Sequence, residues 1–156
     1  MIKHLIMDVD GVLNTGQTLY SKEGKMFKVF GPHDRDGIKI AQGLGLTIDF
    51  ISADVSGFEI TCARLVKDWG FSQENVHLVD QDSRLYWIEN NFDLDRVAFI
   101  GDGYFDIPTL KAVHLGITPN NARREARKVA DYVTESNAGE GAVLDACLYI
   151  KEYMHG

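Results

Sequence analysis

Short, nearly continuous apolar runs recur along this chain, and they restrict its fold more than any other feature. His4–Val9 (HLIMDV), Leu46–Ser52 (LTIDFIS), Val76–Val79 (VHLV), Arg96–Gly101 (RVAFIG) and His114–Thr118 are such runs. Apolar stretches of this length, without strict alternation, suit parallel strands covered on both faces. Between them lie segments with helical spacing: Asp34–Gln42, Gly57–Trp69, Asp82–Asn90, Asp106–Val113 and Ala122–Ala130. Asp131–Thr134 then leads to a closing helix, Gly141–Tyr153. Strands alternating with helices predict an α/β fold, a doubly wound parallel sheet with right-handed crossovers.

One segment breaks the alternation. Thr18–Phe30 (TLYSKEGKMFKVF) reads as two β-rich arms around Ser21–Gly24, with Gly24 supplying a left-handed turn residue. A β-hairpin is therefore expected after the first strand, where a helix would normally follow. It leaves Met26, Phe27, Val29 and Phe30 in need of cover. A two-stranded ribbon is marginal alone, so another subunit is the expected packing partner.

Composition narrows the function. The 156 residues are expected to form one domain, residues 1–156. Sixteen Lys and Arg against 23 Asp and Glu give a net charge of −7, which argues against a nucleic-acid partner. No apolar run approaches the roughly 18 residues of a membrane span. Asp8 interrupts any signal-peptide core near the N-terminus, so a cytoplasmic location is expected. Cys62 and Cys147 make no disulfide framework and read as free thiols.

In doubly wound sheets ligands bind beyond the carboxyl ends of the strands. Here those ends read Asp8-Val9-Asp10-Gly11, Ser52-Ala53-Asp54 and Gly101-Asp102-Gly103-Tyr104-Phe105-Asp106. Carboxylates brought to one rim repel unless a cation sits among them. Oxygen ligands alone point to a hard ion, Mg²⁺ before Zn²⁺ or Cu²⁺. Gly11 lets the chain turn after Asp8-x-Asp10, so one carboxylate faces metal and substrate while the other lies beside the leaving group. Such a pair suits a nucleophile and a general acid/base. The plainer alternative is a pair of aspartates capping a turn.

Asp8-Val9-Asp10-Gly11-Val12, Ser52 after an apolar strand, and Gly101-Asp102-x-x-x-Asp106 together resemble the haloacid dehalogenase superfamily. The early hairpin, Asp36-Gly37-Ile38, Asp106-Ile107-Pro108 and Ala130–Thr134 leading to Gly139-Glu140-Gly141 narrow the likeness. They resemble the branch without a large cap domain that contains the 3-deoxy-D-manno-octulosonate 8-phosphate phosphatases. The resemblance implies a Rossmann-like core and a role for each motif residue. Asp8 would attack phosphorus and form an aspartyl-phosphate. Asp10 would protonate the leaving alkoxide and then activate water. Ser52 would hydrogen-bond a phosphate oxygen. Mg²⁺ would be held by the Asp8 and Asp102 carboxylates and the Asp10 carbonyl, with Asp106 behind them or bound through water. Arg84 stands where the family carries a lysine that steadies nucleophile and phosphate, and Lys67 and Lys111 are the other amines in range of that role. Four further positions depart from the branch. Ala53-Asp54 replaces Gly-Arg, Asn14 replaces a usual threonine, and Gly103 stands where a second aspartate is frequent.

The expected activity is a Mg²⁺-dependent phosphomonoesterase acting on a small phosphorylated sugar or sugar acid. The alternative is a catalytically silent regulatory or scaffold subunit with the same fold, which Arg84 favours. A dehalogenase would need no metal and would leave Asp10 and Asp102 idle. Without a large cap, hairpins and the tails Leu148–Gly156 of neighbouring subunits would wall the site, so a homo-oligomer, a tetramer, is expected. His33, Arg35 and Lys39 are weaker candidates for substrate contact, and Tyr104 for the pocket edge. His4 and His77 read as structural, and Arg123, Arg124, Arg127 and Lys128 as a solvated face.

Overall fold

The computed structural model describes all 156 residues. In chain order the strands are β1 (His4–Asp8), β2 (Asn14–Ser21), β3 (Gly24–Phe30), β4 (Thr47–Ser52), β5 (Val76–Leu78), β6 (Val97–Ile100), β7 (Leu115–Thr118) and β8 (Tyr132–Val133). The helices are α1 (Asp34–Gly43), α2 (Phe58–Cys62), α3 (Arg84–Asn91), α4 (Ile107–Ala112), α5 (Arg124–Val129) and α6 (Ala142–His155). Six strands form one parallel sheet in the order β5-β4-β1-β6-β7-β8. This is the doubly wound α/β architecture of a Rossmann-like core, with β2 and β3 as a separate antiparallel hairpin.

The apolar runs do what their lack of alternation requires. Leu5 and Met7 of β1, Phe50 of β4 and Ile100 of β6 face the layer of α1 and α6. Ile6, Ile51 and Phe99 face the opposite layer, with Ile88 of α3, Leu110 of α4 and Ala126 of α5. Both faces of the central strands are therefore covered, while the edge strand β5 leaves Leu78 exposed.

The chain fills the sheet from β1 through β4 to β5, then returns to place β6 on the other side of β1. The order reverses between β1 and β6. Crevices at such a reversal are where α/β sheets bind ligands. Asp8 ends β1 and Asp102 follows β6, so both rise from this crevice.

The hairpin is longer than Thr18–Phe30, because its first arm starts at Asn14. Gly24 turns at φ +112°. Leu19, Tyr20, Met26, Phe27 and Val29 are exposed on it, while Phe30 packs on the core. The expected helix 57–69 begins as α2 and then widens into a π-helix at Ala63–Asp68. Cys147 is buried, and burial pushes its thiol up to about 12. Cys62 is only half-buried.

The Gly-rich turn before α6 braces the loop that follows β1. Gly139 sits at φ +71° and donates its N–H to the Val12 carbonyl at 3.3 Å. A Cβ there would lie 2.6 Å from the Thr15 nitrogen, so only glycine permits the approach.

Candidate active site

Asp8 is buried at the end of β1, and its Oδ1 accepts the N–H of Val9 at 2.9 Å. Gly11, at φ +82°, turns the chain away and brings its Cα against the Asp102 carboxylate. A Cβ at that position would collide with the carboxylate, so this glycine is what lets the two strand ends converge. Asp106 lies at the end of a 3₁₀ turn, Tyr104–Asp106, just before α4. Its Oδ2 accepts the N–H groups of Asp102 and Gly103, each at 3.0 Å. Oxygens of Asp8, Asp102 and Asp106 all lie within 4.8 Å of one another.

Arg84, the first residue of α3, is 4% exposed and reaches into this cluster. Its Nη1 lies 3.1 Å from Asp8 Oδ2 and donates to Asp106 Oδ1 at 2.6 Å. The buried Nε has no partner within the protein. Lys67 and Lys111 are exposed, so Arg84 is the cation at Asp8. Burial works against the Arg84 charge, but Asp8 and Asp106 hold its proton more firmly than usual. Burial also raises the Asp8 carboxyl well above the ordinary range. Arg84 counters part of that shift, and Asp106 and Asp102 add to it. Asp102 is raised to about 6 by burial, with Asp106 adding to the shift and its hydrogen bond with Asp8 opposing it.

Three carboxylates with one guanidinium leave a surplus of negative charge in a buried place. That donor set, all oxygen and short of positive charge, fits a hard divalent cation.

Asp10 faces the other way, toward the hairpin. Its Oδ1 accepts from Asn14 Nδ2 at 2.9 Å and lies 2.9 Å from Lys28 Nζ. Asn14 in turn accepts the N–H groups of Gly11 and Gly16 on its Oδ1, at 3.0 and 2.9 Å, which closes the loop after β1. Ser52 is fully buried at the end of β4. Its hydroxyl donates to Asp10 Oδ2 at 3.4 Å and accepts the Asp54 N–H at 3.1 Å. Asp54 pairs with two hairpin lysines, Lys25 at 2.6 Å and Lys28 at 2.9 Å. Burial alone would raise the Asp54 carboxyl, but hydrogen bonds from Lys25 and Lys28 bring it down to about 2.

A pocket of about 190 Å³ opens between these groups, lined by Asp8, Asp10, Arg84, Asp102, Tyr104 and Phe105 among others. Asp8, Asp10, Arg84, Asp102 and Asp106 thus meet at one pocket, and Ser52 sits directly behind Asp10. Ala53, rather than Ser52, forms the wall there. Arg35 and Lys39 line a separate depression against Trp69, and His33 is exposed just before α1. His4 pairs with Thr47 at 2.6 Å and His77 with Asp49 at 2.8 Å, away from the pocket. Sequence reasoning missed Lys28. The signal was a lysine amid apolar neighbours in Met26-Phe27-Lys28-Val29-Phe30, where the strand turns Lys28 inward and Phe27 and Val29 outward.

Comparison with known proteins agrees with this geometry. Residues 85–146 match the family model for haloacid dehalogenase-like hydrolases. The 3-deoxy-D-manno-octulosonate 8-phosphate phosphatase of Escherichia coli K12 is 32% identical over 152 residues, covering 94% of this chain and 77% of that protein. A crystal structure of the phosphatase of that name from Moraxella catarrhalis, in complex with magnesium, phosphate and KDO, is 29% identical. It has a TM-score of 0.82 and covers 97% of this chain and 86% of its own. The cobalt-bound phosphatase of Haemophilus influenzae is 26% identical with a TM-score of 0.82, covering 97% and 88%.

Proposed function

The chain belongs to the haloacid dehalogenase-like hydrolases, in the family of the 3-deoxy-D-manno-octulosonate 8-phosphate phosphatases, and on that premise we propose that it is a Mg²⁺-dependent phosphomonoesterase of small phosphorylated sugars or sugar acids. The observation that carries this reading is the meeting of Asp8, Asp102 and Asp106, with carboxylate oxygens within 4.8 Å and one guanidinium paired to Asp8 and Asp106. Asp8 and Asp102 would hold the ion through their carboxylates and Asp10 through its carbonyl. Both oxygens of Asp106 already have partners, so it fits a supporting position behind them. The ion, when bound, offsets repulsion between an anionic nucleophile and an anionic phosphate.

The protein's own groups account for the rest of the chemistry. An Asp8 oxygen forms a bond to phosphorus as the bond to the leaving oxygen breaks. Asp10 gives its proton to that oxygen, and the alcohol departs. In the second half Asp10, now a carboxylate, takes a proton from water while the water oxygen attacks phosphorus. Inorganic phosphate leaves and Asp8 is restored. Arg84 keeps Asp8 in place and, as part of the pocket lining, brings its positive charge to an incoming phosphate. Ser52 donates to Asp10 from behind the Ala53 wall and so supports the acid rather than the phosphate. Reach of Arg84 to both Asp8 and Asp106, together with the likeness to phosphatases, supports the enzyme over a silent scaffold subunit.

At about 190 Å³ the pocket is smaller than the roughly 300–1,000 Å³ of typical ligand pockets. The exposed apolar side of the hairpin supplies the remaining wall when copies associate, and we propose a homotetramer in the cytoplasm. The test is phosphate release from a panel of sugar and sugar-acid phosphates with and without Mg²⁺. Turnover that needs Mg²⁺ and vanishes in Asp8→Asn supports the reading. Turnover that survives Asp8→Asn overturns it.

A further inference from the structure

From the hairpin, we infer that Lys28 is a positioning residue for Asp10, holding the carboxyl group where it can protonate the leaving oxygen. The inference rests on the phosphatase reading above and assigns a part of the same reaction to a residue outside the strand-end motifs.

The Lys28 side chain is wholly buried. An ammonium group has three N–H donors, and here each has a taker. They are Asp10, with oxygens at 2.9 and 3.1 Å, Asp54 Oδ2 at 2.9 Å and Thr61 Oγ1 at 2.9 Å. Burying a lysine costs free energy that a merely structural tether need not incur. The hairpin has other tethers. Lys25 reaches Asp54 at 2.6 Å, and Arg64 lies over the Phe30 ring at 5.6 Å and donates to the Gly31 carbonyl at 3.3 Å. What Lys28 adds beyond its ties to Asp54 and Thr61 is the contact with Asp10. Asn14 holds one Asp10 oxygen from the loop, and Lys28 spans both from the hairpin. With Lys28 gone, the Asp10 side chain keeps one firm partner and can rotate about its χ1 away from the leaving group.

Leaving-group dependence separates this role from a structural one. The ratio kcat/KM covers steps up to release of the alcohol, so it senses proton donation by Asp10 but not the later attack of water. Nitrophenolate departs without a proton, whereas an alkoxide needs one. Lys28→Met should lower kcat/KM about 100-fold on an alkyl phosphate and less than about tenfold on p-nitrophenyl phosphate, since a general acid contributes 10²–10⁴-fold. Across aryl and alkyl phosphates of graded leaving-group basicity, the dependence should steepen. Lys28→Arg, which keeps charge and donors, should recover part of the alkyl rate. If Lys28→Met does not melt cooperatively, Lys28→Arg carries the comparison, because its longer fork still displaces Asp10 and still predicts the larger loss on the alkyl substrate. Equal losses on both substrates, or none, would overturn the inference while leaving the phosphatase reading intact. A wild-type protein that turns over neither substrate, nor any member of the sugar and sugar-acid phosphate panel, with Mg²⁺ would overturn both.

Discussion

The rim of the sheet carries two carboxylate clusters, and they are balanced differently. Beside β6, Asp8 and Asp106 share the single guanidinium of Arg84, and Asp102 stands beside them without a cation of its own. Beside the hairpin, Asp10 and Asp54 share two ammonium groups, those of Lys25 and Lys28. The imbalance shows in the carboxyl groups. Asp102 is pushed up to about 6 by burial and by Asp106, while Asp54, despite burial, is drawn to about 2 by its lysines. The first cluster lacks positive charge and the second provides its own. A hard cation therefore has a place in one and none in the other. Counting acidic residues does not locate a metal site; the uncompensated charge does.

The largest expected effect is on Asp8, the nucleophile proposed for the first cluster. Asp8→Asn should cut kcat by about 10⁵-fold or more while the protein stays folded, as removal of other enzyme nucleophiles does. Phosphate-release assays alongside a thermal melt check it. Next comes the cation that holds Asp8. Arg84→Met leaves Asp8 and Asp106 buried without their partner and should cost about 3–5 kcal/mol in urea unfolding at neutral pH. Arg84→Lys should restore most of that stability.

The pH dependence follows from the imbalance, with its sign set by the raised carboxyl groups. A group with a raised folded-state pKa favours folding below its unfolded value and loses that contribution as pH rises through the folded one. For Asp102 the window runs from 3.8 to about 6. The metal-free protein should lose stability across it, measured as a falling Tm. Added Mg²⁺ should raise Tm more at pH 8 than at pH 5, because ligand carboxylates must be ionised. A Mg²⁺ effect that grows toward low pH would erase the distinction between the clusters. The smallest effect belongs to Asn14. Asn14→Ala strands the N–H groups of Gly11 and Gly16 and should cost about 1–3 kcal/mol in the same urea experiment.

Much of the first cluster was legible in the sequence, because its residues end apolar strands. Asp8 and Asp102 stand where β1 and β6 stop, and position along the chain alone brings them to one rim. Arg84 was legible only through a family likeness, since nothing local marks an arginine at a helix start as a partner of Asp8. The second cluster was largely hidden. Its contacts join residues far apart in the chain, such as Lys28 and Thr61, and depend on how the hairpin folds back over the end of β4. The hairpin itself was expected, but its early start at Asn14 was not, because Asn14-Thr15-Gly16 reads as loop. Ser52 was expected to line the pocket. It lies one layer deeper, because the chain turns after β4 and places Ala53 in front.

Mass spectrometry of protein quenched in acid during turnover tests the central claim most directly. The account predicts one phosphoryl group on the peptide that contains Asp8, formed only with Mg²⁺ present and released by neutral hydroxylamine. Steady turnover with that peptide unmodified, or with the phosphoryl group on another residue, would contradict it.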